Sequence, residues 1–432
     1  MMSSLLAELK SIVTPTHTPA APPPKNIHKN NTKSHPQAIK TSYESLPIEL
    51  PPGFLATEPG VTTPPTLTEL DWSQTELPEN KGLYAVVLDG VLTREECEEL
   101  KKLAEASVPL DKWVDVEVEG EGEGVDGTES QSQDKETETE TETGTTEGKK
   151  TPWAPALVNV GLGYEVHTPS YRNSSRIIWD QQEVVDRLWE RCCLAPGLRE
   201  RLAVLDAGTE RDAKIITGMP FRKPEAENGD GEQQPKEVER YANGKKKGKR
   251  TRLRETKWRD GRTGKWEFVR VNKRMRFLRY SPGQFFRAHC DSPYRELDPV
   301  NSDRINETLF TIHLYLNDCK SEAPPGKKDE TELEGGATAL LSGDEKRKYD
   351  VECKTGRVLI FQHRRVFHAG ADVIKGIKYS VRTDIMYREI LEEKEEEMDE
   401  QKGQQGQQVV GDEEGRKGVD NGEPLKEDGD GK

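Results

Sequence analysis

The sequence predicts a mainly β fold with flanking helices (α+β), built as an antiparallel jelly roll, or double-stranded β-helix. From Trp266 to Tyr387, short runs rich in Val, Ile, Phe and Tyr alternate with Gly, Pro and Asp turns, as in sandwiches and barrels. Upstream, one buried strand pattern and two amphipathic helix patterns supply further elements. The β runs are RMRFLRYS, TLFTIHLYLN, ATALLS, GRVLIFQ and KYSVRTDIMY.

The first folded elements are predicted to begin near Gly82. Leu83–Leu92 has the pattern of a buried strand and turn, and Thr93–Ser107 that of a helix with a threonine N-cap. Four residues of that helix should share one buried face, namely Cys97, Leu100, Leu103 and Ala104. A second helix is predicted in QQEVVDRLWERCC, where apolar residues recur at four-residue spacing. Both helices should pack onto a larger sheet.

Long hydrophilic segments surround and interrupt this domain. Only 32% of the 432 residues are hydrophobic, so residues 1–81 and 389–432 are predicted to be disordered appendages of a domain at 82–388. Disordered insertions are predicted near 115–150, 223–264 and 318–335. Residues 115–150 hold 13 acidic and 3 basic side chains, and the acidic tail at 389–432 holds 16 and 6. The net charge of −15 therefore resides in these segments and indicates nothing about an acidic partner.

Composition also limits the partners. Lys245–Arg254 holds seven basic residues in ten, which could contact phosphate or direct nuclear import. Without interleaved aromatic residues, a solvated loop is the favoured interpretation, and we expect no nucleic-acid partner. No apolar run approaches the ~20 residues that cross a bilayer, so no membrane association is expected. Six cysteines without zinc-site spacing indicate reduced thiols in an intracellular protein, cytoplasmic or nuclear.

The strongest chemical signal is a His-x-Asp pair, His289 and Asp291, followed far downstream by His368. Residues i and i+2 of a strand point to the same face, so His289 and Asp291 should project inward together. Two imidazoles and one carboxylate fill one face of an octahedral ion and leave the other face open. This is the facial triad of a non-haem Fe(II) oxygenase.

Two alternatives stay open around the second histidine. His363 competes with His368, but it lies inside an apolar run and lacks the Gly-flanked turn, so His368 is favoured. Lys378 follows His368 by ten residues, across a hairpin turn predicted near Gly376, and its ammonium could bind a carboxylate in the same cavity. Arg382 lies four residues further on the same strand face and could replace or assist Lys378.

Two tyrosines and a histidine could line the same cavity. Tyr280 precedes His289 by nine residues across a Pro-Gly turn, on a strand expected to pair back toward the metal pair. His313 shares a strand face with Tyr315. It is equally well explained as a pocket residue or as a hydrogen-bonded packing residue.

Two arginines and a glycine pair complete the candidates. Arg172 and Arg176 suggest an oxyanion or substrate contact, although exposed arginines beside an insertion are usually solvated, which is the favoured interpretation. Gly335 and Gly336 should allow a strand to turn or to approach another closely.

The segment Arg276–Tyr387 resembles the catalytic domain of 2-oxoglutarate- and Fe(II)-dependent dioxygenases, specifically the prolyl 4-hydroxylase alpha-subunit-like group. The matching features are RYSPGQFFRAHCD, TIHLYLND, EGGATALL, and His368 with Lys378. VVLDGVLTREECEEL also resembles the strand and helix that begin that domain. The resemblance covers residues ~82–388, and the combination is more specific than any one motif.

The resemblance implies an Fe(II) site with three protein ligands: His289, Asp291 and His368. Lys378 would pair with the 5-carboxylate of 2-oxoglutarate, assisted by the hydroxyls of Tyr280 and Tyr315, and ascorbate is the expected reductant. Using O₂, such an enzyme couples decarboxylation to succinate with hydroxylation of a substrate C–H bond, here a prolyl residue in a protein by resemblance. The alternatives are the same chemistry on a small molecule and a non-catalytic jelly-roll interaction module.

Overall fold

The computed structural model describes eight stretches of the chain: residues 37–58, 62–116, 149–161, 163–221, 264–302, 304–324, 326 and 332–390. Residues 1–36, most of the two insertions predicted at 115–150 and 223–264, and the tail from 391 onward lie outside them, as does the basic block Lys245–Arg254. No helix of the described stretches is long and apolar enough to span a bilayer.

Four α-helices occur in the described residues: α1 (Arg94–Ala106), α2 (Gln182–Cys192), α3 (Leu198–Ala203) and α4 (Glu210–Thr217). The predicted N-cap of α1 is confirmed as a capping box. Thr93 Oγ1 accepts from the Glu96 backbone N–H at 3.2 Å, and the Glu96 carboxylate accepts from the Thr93 N–H at 2.8 Å. Three 3₁₀ turns span Trp72–Gln74, Pro78–Asn80 and Leu110–Lys112.

Short strands dominate the N-terminal half. They are β1 (Ala38–Lys40), β2 (Thr66–Glu69), β3 (Ala85–Asp89), β4 (Val114–Asp115), β5 (Lys150–Thr151), β6 (Ala154–Pro155), β7 (Val158–Gly161), β8 (Tyr164–Val166), β9 (Arg172–Asn173), β10 (Ser175–Asp180) and β11 (Val204–Asp206). Two small sheets lie apart from the main ones, β1-β8-β7 and β4-β5.

The C-terminal half contains the five predicted β runs. Its strands are β12 (Lys265–Val271), β13 (Arg274–Tyr280), β14 (Phe285–His289), β15 (Arg295–Leu297), β16 (Ile305–Tyr315), β17 (Glu334–Gly335), β18 (Thr338–Leu341), β19 (Lys348–Val351), β20 (Val358–Gln362), β21 (His368–Gly370), β22 (Val373–Lys375) and β23 (Lys378–Ile390). Strands β17 and β22 form a two-stranded ribbon of their own.

Two main sheets make the jelly roll. The large sheet has eleven strands and follows the order β2-β3-β20-β16-β23-β13-β10-β6, and the small sheet follows β19-β18-β21-β14-β9. Along the chain from β13 to β23, the strands pass back and forth between these sheets. The neighbours of β16 and β23 are antiparallel throughout. The predicted double-stranded β-helix with flanking helices is confirmed.

Strand β20 shows why a strand of the large sheet can have apolar residues at consecutive positions. Val358 and Ile360 face the cluster that contains the helices α1 and α2, whereas Leu359 and Phe361 face the cluster shared with the small sheet. Both faces of the strand are therefore buried, and no polar alternation is required. The helices cover one face of the large sheet, and the small sheet covers the other.

The prediction that the folded part begins near Gly82 is wrong. Upstream of it, β2 pairs with β3, Leu55 and Leu77 are buried, and the Trp72 Nε1–H donates to the Leu83 carbonyl at 2.6 Å. The segment has few apolar residues per length, which gave it the composition of a linker. Those few residues nevertheless fill gaps at the edge of the large sheet.

The insertion predicted at 318–335 is narrower than expected. Asp318 and Cys319 at its start are buried, and so is Leu333 near its end. The Asp318 carboxylate accepts from the Thr355 backbone N–H at 2.7 Å and pairs with Arg94. Residue 325 and residues 327–331 lie outside the described stretches.

Candidate active site

A cavity lies between the large and small sheets and is lined by side chains from both. Those from β14, β18 and β21 belong to the small sheet, and those from β13, β16, β20 and β23 belong to the large sheet. The charged and imidazole groups of the lining are Arg172, Arg276, His289, Asp291, His313, His368, Lys378 and Arg382. Nearly all the predicted site residues therefore meet in one place.

His289, Asp291 and His368 form a compact cluster at one part of this cavity. His289 ends β14 and pairs in register with His368, the first residue of β21, while Asp291 follows β14 by two positions. One nitrogen or oxygen atom from each of the three lies within 4.8 Å of the others. Cys290 between them is exposed, as the alternation predicted. Within the described residues, no other group of His, Cys, Asp or Glu side chains has this arrangement.

Backbone carbonyls orient both imidazoles. His289 Nδ1 lies 2.8 Å from the Arg287 carbonyl oxygen, and His368 Nδ1 lies 3.2 Å from that of Val366. A proton on each Nδ1 leaves Nε2 as the free lone pair directed at Asp291. The Nε2 atoms lie 3.6 Å and 3.8 Å from the Asp291 carboxylate oxygens. The ring of Phe286 stacks on His289 with centroids 3.9 Å apart, which further fixes that ring.

The protonation states suit a divalent cation. Burial lowers the pKa of His368 to about 3, so its imidazole is neutral at physiological pH. Burial alone would raise the pKa of Asp291, but Arg382 and the two histidines outweigh it and hold the pKa well below its ordinary value. A neutral imidazole on His368 and an ionised carboxylate on Asp291 are the forms in which these two groups bind Fe(II).

The Asp291 carboxylate is held by two further groups. The Thr311 hydroxyl donates to one oxygen at 2.5 Å, and Arg382 Nη2 lies 3.1 Å from the other. The same Nη2 atom lies 3.1 Å from Asp384, which also contacts Arg276 at 3.1 Å. Arg382 is thus directed at the metal cluster and at Asp384, and it does not occupy the position of Lys378.

His363, the alternative ligand, lies outside the cluster. Its buried Nε2 atom is 3.3 Å from the Asp384 carboxylate, which Arg382 also contacts. Sequence reasoning missed Thr311, Arg276 and Asp384, although the two-residue spacing of Arg382 and Asp384 on one strand face was a usable signal.

Lys378 is fully buried at the opposite part of the cavity. Its Nζ donates to the Gly336 carbonyl at 2.5 Å and lies 5.3 Å from the ring centre of Tyr280 and 5.7 Å from that of Tyr315. The Tyr315 hydroxyl donates to Thr338 Oγ1 at 2.7 Å. A buried ammonium framed by two phenol rings is a site for one carboxylate.

Two local predictions about pairing are wrong. Strand β13, which carries Tyr280, pairs with β10 and β23 in the large sheet and not with β14. The turn at Gly376 joins β22 to β23, which belong to different sheets, and is not a hairpin. Jelly-roll connections cross between sheets, so neighbours in sequence face one another across the cavity. Tyr280 still meets Lys378, because the two are paired in register.

Both candidate arginines are buried, which overturns the expectation that they are solvated. Arg172 is 8% exposed and Arg176 is 7% exposed. Arg176 forms an ion pair with Glu165 at 3.0 Å, whereas Arg172 lines the cavity and lies over the ring of Phe286 at 4.6 Å. The neighbouring sequence is polar, but β9 belongs to the small sheet and β10 to the large sheet, where it pairs with β13 and β6.

The structure also places His313 and the glycine pair. His313 lines the cavity, its Nε2 has no hydrogen-bond partner among the described residues, and burial together with Lys378 keeps its pKa well below the ordinary value. The expected close approach at the glycines is confirmed. A Cβ on Gly335 would lie 2.6 Å from the Asp372 carbonyl oxygen, and Gly336 has φ +76°.

Comparison with known families gives one match. Residues 275–383, about a quarter of the chain, match the family described as the 2OG-Fe(II) oxygenase superfamily. No curated protein matches the sequence. The match begins in β13 and ends in β23, so it contains the strands that carry His289, His368, Lys378 and Arg382, whereas β9 with Arg172 lies outside it.

Comparison with solved structures gives low overall similarity. A Pseudomonas putida prolyl-4-hydroxylase is 14% identical with a TM-score of 0.26, over 54% of this chain and 77% of that one. A Trichoplax adhaerens prolyl hydroxylase, in complex with a hypoxia inducible factor peptide fragment, is 18% identical with a TM-score of 0.20 over 30% and 50%. A viral collagen prolyl hydroxylase from Paramecium Bursaria Chlorella virus-1 is 21% identical with a TM-score of 0.18 over 28% and 59%.

Proposed function

We propose that this chain, whose residues 275–383 match the 2OG-Fe(II) oxygenase superfamily, couples decarboxylation of 2-oxoglutarate with hydroxylation of a substrate C–H bond. The observation that carries the proposal is the placement of the cluster of His289, Asp291 and His368 in the same cavity as the buried ammonium of Lys378. The cluster alone would indicate only metal binding, and Lys378 alone would indicate only carboxylate binding.

In this proposal the three clustered side chains hold Fe(II). Bound Fe(II) supplies the activation of O₂ that accompanies conversion of 2-oxoglutarate to succinate and CO₂. The contacts from Thr311 and Arg382 keep the Asp291 carboxylate in one orientation. The carbonyls behind both histidines keep their Nε2 atoms directed inward.

Lys378 binds the 5-carboxylate of 2-oxoglutarate in this proposal. In the described conformation its Nζ has a carbonyl acceptor and no carboxylate, so an incoming carboxylate gains a charge-assisted hydrogen bond in a buried site. The hydroxyl of Tyr280 and, after release from Thr338, that of Tyr315 are the assisting donors. Arg382 is the weaker candidate for this contact because it already lies between two carboxylates.

A prolyl residue in a protein is the proposed target, and ascorbate is the proposed reductant. The support is the resemblance of RYSPGQFFRAHCD and the His368–Lys378 segment to the prolyl 4-hydroxylase group. Oxidation of a small molecule by the same site is the alternative, since the fold does not fix the substrate.

The test is uncoupled turnover. Purified protein with Fe(II), ascorbate and 2-oxoglutarate should release succinate slowly without a substrate, and His289→Ala and Asp291→Ala should not. His363→Gln is the matched control, because this buried histidine lies outside the cluster and should leave succinate release intact. If wild type shows neither turnover nor metal binding, matching His289→Ala and Asp291→Ala, the proposed function is wrong.

A further inference from the structure

The cations that line the cavity outnumber their acidic partners. Among the described residues, Arg276 and Arg382 contact carboxylates, whereas Lys378 and Arg172 contact none. In the proposed function, Lys378 receives the 5-carboxylate of 2-oxoglutarate. Fe(II) is balanced by Asp291 together with the 1-carboxylate. Arg172 is then the cation of this set that has neither a carboxylate contact nor a proposed one.

Arg172 is directed at the metal side of the cavity. Its guanidinium lies 4.6 Å from the ring centre of Phe286, and that ring stacks on the imidazole of His289 at 3.9 Å. The side chain is therefore one aromatic ring away from a proposed metal ligand. A group bound by Arg172 would lie in the same cavity as the proposed metal ligands.

The hydrogen-bonding capacity of this guanidinium is unfilled. Its Nε is buried and has no partner among the described residues, and Nη1 reaches only the Leu157 carbonyl at 3.4 Å. Burial lowers the pKa of Arg172 to about 10, so it keeps its positive charge at neutral pH. A buried cation without a counter-ion is costly, and a ligand that supplies one regains that free energy.

We propose that Arg172 binds a carboxylate of the substrate, next to the carbon that is hydroxylated. This inference rests on the proposed function and narrows its substrate class to carboxylic acids. The carboxylate belongs either to a small acid or to an acidic residue or chain end beside the target residue of a peptide. The planar N–H fork of arginine matches the two oxygens of a carboxylate, which a neutral peptide carbonyl cannot do.

Calorimetry with paired probes tests this assignment. Protein loaded with Mn(II) and the unreactive analogue N-oxalylglycine is titrated with a panel of N-acetyl amino acids, each as the free acid and as the primary amide. A second arm uses blocked peptides that contain proline next to Asp or next to Asn. Wild type should bind the preferred acid about 10- to 100-fold more tightly than its amide, as charge-assisted hydrogen bonds do.

Variants identify the residue responsible. Arg172→Gln should bring the acid-to-amide affinity ratio to about one, and Arg172→Lys should give an intermediate ratio because it keeps the charge but loses the fork. Arg287→Gln is the matched control. Arg287 also stacks on a phenylalanine, Phe285, at 3.4 Å, but it is half exposed and pairs with Asp372. Its ratio should equal that of wild type.

Three outcomes overturn the inference. In the first, no acid of either arm binds more tightly than its amide or Asn counterpart to loaded wild type. In the second, Arg172→Gln keeps the preference. In the third, Arg172→Gln weakens N-oxalylglycine itself, which would make Arg172 a 2-oxoglutarate contact. Failure of wild type to load Mn(II) and N-oxalylglycine instead contradicts the proposed function.

Discussion

The small and large sheets enclose the same cavity, but they hold their functional side chains in different ways. His289 and His368 lie on strands of five and three residues in the small sheet, and backbone carbonyls orient them. Lys378 and Arg382 lie on β23, a strand of thirteen residues buried on both faces. The ladder between β14 and β21 is irregular, whereas β13 and β23 pair without a break.

This difference predicts how each sheet responds to substitution. Side chains on the short strands lie at the cavity surface, so replacing them should remove chemistry and leave the fold. Arg382 and Asp384 on β23 are part of a buried ion-pair network, so replacing them should change stability as well as binding. The following variants test this contrast.

The largest expected effect is on metal binding from the small sheet. His289→Ala removes one of three proposed ligands, so affinity for Mn(II) measured by calorimetry should be lost. The midpoint of thermal unfolding without metal should change little, because the hydrogen bond and the stacked ring contact of the imidazole are both to residues of its own strand. Retained metal affinity together with a collapsed unfolding midpoint would contradict the contrast.

Asp384→Asn should have the next largest effect, on stability. It leaves Arg276 and Arg382 without their shared carboxylate, a change that costs about 3–5 kcal/mol in buried pairs. Asp372→Asn is the control, since its pair with Arg287 is about half exposed on both sides and should contribute at most ~1 kcal/mol. Urea unfolding at pH 7 measures both, and equal losses would contradict the prediction.

The effect of Asp384 should also depend on pH. Burial alone would raise the pKa of this carboxyl, but Arg382 and Arg276 outweigh it and hold the pKa well below its ordinary value. A carboxyl whose pKa is lower in the folded state contributes stability above its unfolded pKa of ~4, and loses it as pH falls further. The difference between wild type and Asp384→Asn should therefore shrink below about pH 4 in urea unfolding. A difference that stays constant to lower pH would exclude this linkage.

Lys378→Ala should raise the KM for 2-oxoglutarate about a hundredfold, because the 5-carboxylate loses a buried charge-assisted partner. Mn(II) affinity without cosubstrate should stay near that of wild type. Succinate release over a range of 2-oxoglutarate concentrations provides the measurement. A larger rise in Arg382→Ala than in Lys378→Ala would transfer the carboxylate contact to Arg382.

Arg382→Gln is expected to have the smallest of these effects, about a tenfold loss of Mn(II) affinity. It acts through the orientation of Asp291, and groups that orient metal ligands typically contribute 10- to 100-fold. Arg382→Lys should recover part of the loss, since a cation near the carboxylate remains. Unchanged affinity in Arg382→Gln would show that Thr311 alone orients Asp291.

The comparison also shows what the sequence could reveal. The alternation that placed His289 and Asp291 together, and the turn that separated His368 from His363, depend on local backbone geometry, which a sequence records directly. The burial of Arg172 depends on β9 reaching the small sheet from more than a hundred residues upstream of β14. No local pattern contains that pairing. The contact of Asp384 with Arg276 on β13 was hidden for the same reason, whereas its spacing from Arg382 on β23 was a local signal.

Composition led to a wrong prediction for the segment before Gly82. The stretch before Gly82 has few apolar residues, yet Leu55, Trp72 and Leu77 are buried there. The average hydrophobicity of a segment indicates how much of it lies in the core. It does not indicate whether a few buried residues pack the segment against the domain. The acidic segments near 115–150 and from 391 onward lie outside the described residues, so their predicted disorder stays a prediction.

The register between β14 and β21 has one more consequence. Because His289 and His368 face each other on adjacent strands, an ion bound by both fastens two strands whose hydrogen-bond ladder is broken between Phe286 and His289. The ion would then link the two adjacent strands. By mass action, its occupancy stabilises the small sheet in proportion to the logarithm of metal concentration over Kd. Metal supply would thus change the stability of these two inner strands of the small sheet as well as the chemistry of the site.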